Sequence, residues 1–132
     1  MNIRYEVNVP LDPQAVASLF RVSGIDRPHD DLRRIERMIL GADLTVTAWN
    51  GSQLVGFARA LTDWCYCCYL SDLAVARDYQ RNAIGTGLLK LVEDEIGDSV
   101  TLVLISAPDA KEFYRRLGLA STDLAFIVRR KR

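Results

Sequence analysis

The stretch "YQRNAIGTGLLK", residues 79–90, holds the most unusual local chemistry of this sequence. Two glycines, Gly85 and Gly87, stand at what should be the start of a helix, where glycine costs roughly 1 kcal/mol relative to alanine. A helix start carries unpaired N–H groups and the positive end of the helix dipole, so glycines there let an anion such as a phosphate come close to the backbone. A lone GxG serves close helix-to-sheet packing equally well. There is no GxGxxG followed by an acidic residue and no GxxxxGK[ST], which sets aside a dinucleotide fold and a P-loop. The other reactive cluster is Cys65, Cys67 and Cys68. An odd, clustered set is a poor disulfide framework, and with His29 as the sole histidine a zinc site is short of ligands. Buried free thiols are the expectation.

These residues must be positioned by a chain of 132 residues, the length of one ordinary domain, 1–132, with enough core to fold without staples. Seventeen basic and seventeen acidic residues cancel, so no global field favours nucleic acid or an anionic membrane. "MNIRYEVNVP" has no apolar h-region, and no run nears the roughly 20 apolar residues of a membrane helix. A cytoplasmic protein is expected, with neither nucleic acid nor membrane as partner.

"IRYEVNV" reads as a strand. "DPQAVASLFRVSG" follows with Asp12 as N-cap, Pro13 at the first helical position and Gly24 as stop; "HDDLRRIERMILG" repeats that grammar, capped by Asp30 or Asp31. "DLTVTAWNGSQLVGFARAL" is two alternating runs about Asn50-Gly51, the signature of a two-residue type I′ turn. "YCCYLSDLAV" is a further strand. In a regular strand Tyr66, Cys68, Leu70 and Asp72 share one face and Tyr69, Ser71 and Leu73 the other, so one set sees a substrate unless a bulge intervenes. "GTGLLKLVEDEIG" is an amphipathic helix and "VTLVLIS" a strand covered on both faces, which should run parallel to the preceding strand through a right-handed crossover. Ser106 and Asp109 have capping-box-like spacing before a helical stripe of Ala110, Phe113, Tyr114 and Leu117, and "LASTDLAFIVRR" reads as a final strand. The order β-α-α-β-β-β-α-β-α-β makes the class α+β, or mixed α/β, with one sheet. The glycine-bearing turn opens the helix of its βαβ unit.

Taken together, "YLSDLAVARDYQRNAIGTGLLKLVEDEI" and "APDAKEFYRRLGL" resemble the two signature blocks of the GNAT superfamily of acyl-CoA N-acetyltransferases. The family pattern Q/R-x-x-G-x-G/A falls on Gln80, Arg81, Asn82, Ala83, Ile84 and Gly85, with Ala83 replacing the first glycine. The resemblance implies a mostly antiparallel sheet with a central parallel βαβ unit, a V-shaped splay and about four flanking helices. It also implies acetyl-CoA as co-substrate, with no metal. Its pyrophosphate would be held by main-chain N–H groups from Arg81 through Thr86, and its pantetheine arm by the backbone of Leu73, Ala74 and Val75. Tyr114 matches the family's general acid for the departing thiolate, and Asp72 is placed as base or ammonium ligand. A strand N–H would stabilise the oxyanion. The asparagine usual near the start of the last helix is replaced by Ala107.

For the acceptor, Asp63 and Trp64 on the loop before the strand, together with Tyr69 and Ser71, are candidates for holding an amine; His29 and Asp30 are weaker ones. The activity implied is direct attack by a primary amine, of a small molecule by default, on acetyl-CoA. The alternative is a non-catalytic acyl-CoA-binding or interaction module of the same fold. A homodimer through exposed strand edges is a further possibility.

Overall fold

Asp12 accepts from the Gln14 N–H at 3.0 Å and so starts α1 (Pro13–Ser23), after a first strand β1 (Ile3–Val7); Gly24, at φ +83°, ends the helix. Asp31 caps α2 (Leu32–Leu40) in the same way, through the Arg34 N–H at 3.1 Å. The computed structural model describes residues 1–131. Its further elements are β2 (Leu44–Asn50), β3 (Gln53–Thr62), β4 (Cys67–Val75), a 3-10 turn over Arg77–Tyr79, α3 (Ile84–Ile96), β5 (Thr101–Leu104) and α4 (Lys111–Arg116).

The strands form one sheet in the order β1-β2-β3-β4-β5, antiparallel throughout except for the parallel β4–β5 pair. This is the mostly antiparallel mixed α+β layout with one parallel βαβ unit expected above, though the unit lies at the end of the described sheet rather than at its centre, because residues 120–131 add no strand beyond β5. The β2–β3 hairpin pairs Asn50 with Gln53, so its two loop residues are Gly51 and Ser52. Positive φ falls on Gly51 alone of the pair, the pattern of a II′ turn rather than the expected I′ centred on Asn50-Gly51.

Each face of the sheet carries a core. On one, Leu44, Val46, Val55, Ala58, Cys68 and Leu70 pack against Leu88, Leu89 and Val92 of α3; on the other, Phe57 and Ala74 pack against Val16, Leu19 and Phe20 of α1 and Ile35 of α2. Each large side chain buried this fully contributes about 1.5–3 kcal/mol. Gly56 lets α3 lie close, since a Cβ there would stand 3.0 Å from both Ile84 Cγ2 and Leu88 Cδ1.

Four further expectations are corrected. β5 is covered on one face only, because Thr101 and Val103 point to solvent where α1 and α2 do not reach. The segment 120–131 forms no strand and is exposed throughout. Ser106 caps nothing: its hydroxyl donates to the Ala107 carbonyl, and α4 starts at Ala110 without a side-chain cap. Of the three thiols only Cys68 is buried, because Cys65 lies in the β3–β4 turn and Cys67 points away from the α3 core.

Candidate active site

β4 is nine residues long, yet only Cys67–Leu70 pair with β5, in register with Thr101–Leu104. Beyond Leu70 the two parallel strands part, leaving the Ser71–Val75 edge of β4 open. The Ala76 N–H donates to the Val55 carbonyl at 2.9 Å. By the two-residue alternation of an antiparallel ladder, the Ala74 backbone then faces β3, and the backbone groups of Leu73 and Val75 face the opening.

A bulge decides which side chains of β4 share a face. Arg59 pairs with Asp72 and Ala60 with Leu70, so Ser71 is the extra residue. Before it, Cys68 and Leu70 enter the α3 core; after it, Leu73 and Val75 pack there while Ala74 joins the α1–α2 core. Asp72 therefore does not share a face with Cys68 and Leu70, as regular alternation would have it. It turns to the side of Tyr69, which is 41% exposed beside Leu61 of β3 and Val103 of β5.

Asp72 is 1% exposed and both its oxygens are engaged. Arg27, in the loop after α1, donates from Nε to Oδ1 at 2.6 Å and from Nη2 to the Ser71 carbonyl at 2.6 Å. Arg59 donates to Oδ2 through Nε and to Ser71 Oγ through Nη2 at 2.9 Å. Sequence reading missed both arginines. Arg59 carried a signal, a lone cation inside the apolar run of β3 that had to find a partner; Arg27 carried none.

Tyr114 of α4 is half-buried, edge-on to Phe113 with ring centroids 5.0 Å apart, and packs on the α3-side core. Burial raises its hydroxyl pKa above the usual value of 10.0, and the nearby Arg27 charge opposes that rise. Arg27 thus holds the Ser71–Asp72 segment of β4 by hydrogen bonds and acts on Tyr114 through its charge alone.

The loop into α3 begins where the open edge ends. Gln80 Nε2 donates to the Val75 carbonyl at 3.0 Å, and Asn82 Nδ2 to the Tyr79 carbonyl at 3.3 Å. Arg81 (φ +68°) and Ala83 (φ +62°) are left-handed, and Ala83 is the N-cap without a side-chain cap bond. The N–H groups of Ile84, Gly85 and Thr86 lie in the first turn, where a helix provides no partner. Both glycines meet aromatic rings: a Cβ at Gly85 would stand 3.2 Å from Phe113 Cζ, and one at Gly87 would collide with the Tyr5 ring. The packing reason for these glycines is therefore met directly.

The remaining candidates lie elsewhere. Asp63 Oδ1 accepts from the N–H groups of Cys65, Tyr66 and Cys67 at 2.8–3.0 Å, which closes the β3–β4 turn and holds its pKa far below the usual carboxylate range. That turn, with Trp64 at φ +66°, sits at the end of β4 where β4 and β5 are still paired. His29 Nδ1 is buried without a hydrogen bond, 3.3 Å from the Oδ1 of exposed Asp30. Among the described residues no cluster of His, Cys, Asp and Glu is arranged to hold a metal, and no helix is long and apolar enough to cross a membrane.

The profile of the acetyltransferase (GNAT) domain matches residues 18–129. An uncharacterized N-acetyltransferase of Porphyra purpurea, ycf52, is 33% identical over 75 residues, covering 52% of this chain and 41% of that protein. Similar folds include a Staphylococcus aureus protein of unknown function, SA2161, described as a probable acetyltransferase. It has a TM-score of 0.84 at 20% identity and covers 98% of this chain and 100% of the other. An aminoglycoside N-acetyltransferase, AAC(6')-Iy, solved in complex with CoA, has a TM-score of 0.72 at 16% identity, covering 98% and 95%.

Proposed function

The chain belongs to the GNAT acetyltransferase family and is a transferase, and from that premise we propose that it moves the acetyl group of acetyl-CoA to a primary amine of a small molecule. The observation that carries the reading is the open edge of β4, which leads directly into the start of α3. The residues present suit coenzyme A. Leu73 and Val75 offer N–H groups to an extended pantetheine arm as an added strand would meet them. The unpaired N–H groups of Ile84, Gly85 and Thr86, with the loop from Gln80 to Ala83, suit the pyrophosphate.

Acetyl-CoA supplies the acyl group as a thioester; the chain's own residues orient it and manage protons. In this reading a β4 N–H facing the opening polarises the acetyl carbonyl, and the amine nitrogen bonds to the carbonyl carbon as the carbon–sulfur bond breaks. Tyr114 gives its hydroxyl proton to the departing sulfur, and the proton that the attacking nitrogen sheds as the amide forms passes through solvent to restore the tyrosine hydroxyl. Its raised pKa keeps that proton in place at neutral pH. Asp72 positions rather than abstracts: sealed from solvent between Arg27 and Arg59, it has no path to an amine or a water. Tyr69 and Ser71 line the acceptor side, whereas Asp63 and Trp64 serve the turn.

Free-thiol release from acetyl-CoA across a panel of amines, with calorimetric titration of coenzyme A, tests this. Amine-dependent release is expected, with kcat down about a hundredfold in Tyr114→Phe. Coenzyme A binding without release from any amine would favour the non-catalytic acyl-CoA-binding module, and absence of binding would remove both readings.

A further inference from the structure

Two guanidinium groups share one carboxylate on the α1 side of the sheet. Asp72 is paired by both Arg27 and Arg59, and among the described residues neither arginine has a second acidic side chain within salt-bridge reach. The cluster therefore carries an uncompensated positive charge, although the Arg59 side chain is only 11% exposed and that of Arg27 26%. A largely desolvated cation without its own counter-ion is costly, so this position favours a bound anion. Donors are also to spare. Each terminal guanidinium nitrogen carries a pair of N–H groups. Arg27 donates from Nε to Asp72, from Nη1 to the Asp26 carbonyl and from Nη2 to the Ser71 carbonyl, which leaves a second N–H on both terminal nitrogens. Arg59 is engaged through Nε and Nη2, and its Nη1 is unspent.

Beside the cluster, the same face of the sheet is apolar and uncovered. Phe57 of β3 still lies under α1, but Leu61 pairs with Tyr69 and Tyr69 with Val103 in a row across β3, β4 and β5 whose members are 41%, 41% and 49% exposed. Arg59 precedes Leu61 by two residues, so the row runs about 7 Å along the strand from the cations. The split between β4 and β5 opens just past Leu70 and Leu104, and the Arg27 charge is felt at the Tyr114 hydroxyl. Spare cation, apolar row and split meet at one corner of the molecule.

We infer that the acceptor is an amine with a carboxylate next to its nitrogen and an apolar side chain, the chemistry of a free apolar or aromatic amino acid; this rests on the transferase reading above. The carboxylate takes the spare N–H groups of Arg27 and Arg59, the side chain lies on Leu61, Tyr69 and Val103, and the nitrogen faces the split. A polyamine would add positive charge to a site that already has an excess, and a peptide N-terminus has an amide in place of the carboxylate.

Thiol release from acetyl-CoA is compared for phenylalanine, phenylalaninamide, phenethylamine, glycine and spermidine. The kcat/KM for phenylalanine should exceed that of each other compound at least about tenfold. Arg27→Gln removes the excess charge and should raise KM for phenylalanine about tenfold while leaving KM for phenethylamine within about twofold. Leu61→Glu should reverse the order of phenylalanine and phenethylamine. Leu61 is exposed and outside the ion cluster, so this second variant reports even if the first unfolds. Calorimetric titration of phenylalanine and phenethylamine into the protein, with and without coenzyme A, reads the same preference without turnover. Release or binding that is indifferent to the carboxylate, or a carboxylate preference that survives Leu61→Glu unchanged, would overturn the inference and leave the transferase reading standing. Failure to bind coenzyme A would instead remove the transferase reading, and the titration of the two amines would still decide between a carboxylate-selective site and none.

Discussion

At the residue scale, the decisive contact is the Asp72 carboxylate held by Arg27 and Arg59. A buried ion with partners on two elements is destabilised strongly when one partner goes, by about 3–5 kcal/mol. Arg59→Met should therefore lower the chemical-denaturation midpoint by the equivalent of about 3 kcal/mol, because Arg59 is the more enclosed of the two arginines. Asp72→Asn should likewise lose stability but leave the acid limb of the pH–kcat profile unmoved below the melting temperature; a lost limb would return Asp72 to the role of base. The helix that carries Tyr114 was legible from its apolar stripe, with Phe113 and Tyr114 on the packed side. Arg27 was not, because nothing in "GIDRPHD" says that its guanidinium crosses to β4. Asp63 was legible as a carboxylate in a loop, but its use by three N–H groups of its own turn depends on backbone geometry that spacing does not report.

At the element scale, the start of α3 holds a strained alanine. Ala83 sits at φ +62°, where an L-residue is less at ease than glycine, so Ala83→Gly should gain up to about 1 kcal/mol in denaturant unfolding and should not weaken coenzyme A binding. Gly87 makes the opposite case. Gly87→Ala sets a methyl into the Tyr5 ring and should destabilise by about 1–3 kcal/mol, and in a double-mutant cycle with Tyr5→Ala the two losses should fall short of additive. The hairpin, the parallel crossover and the helix caps at Asp12 and Asp31 were readable because each rests on short-range signals. β5 and the 120–131 segment were misjudged because an apolar run says that a side chain seeks cover, not whether this chain supplies it.

At the scale of the whole molecule, the two cores leave three ionisable side chains more protonated than in the unfolded chain. Burial raises the Cys68 thiol above its ordinary 9.0 and the Tyr5 and Tyr114 hydroxyls above 10.0. A group with a raised folded pKa contributes its stability in full below the unfolded value and loses it as pH climbs through the folded one. Thermal midpoints should thus be insensitive to these groups from pH 7 to about 9 and decline beyond, and Cys68→Ser should remove the earliest part of that decline. The bulge at Ser71 reaches just as widely, because it sets the parity of a strand shared by both cores. It does so by absorbing one residue: without Ser71, Leu70 and Asp72 would be direct neighbours opposite Ala60 and Arg59 in a regular ladder, and every later side chain would keep its side. Straightening the strand with Ser71 retained would instead drive Asp72 and Ala74 into the α3 layer and Leu73 and Val75 toward α1, so β4 would tolerate a shorter chain better than a regular one of its present length.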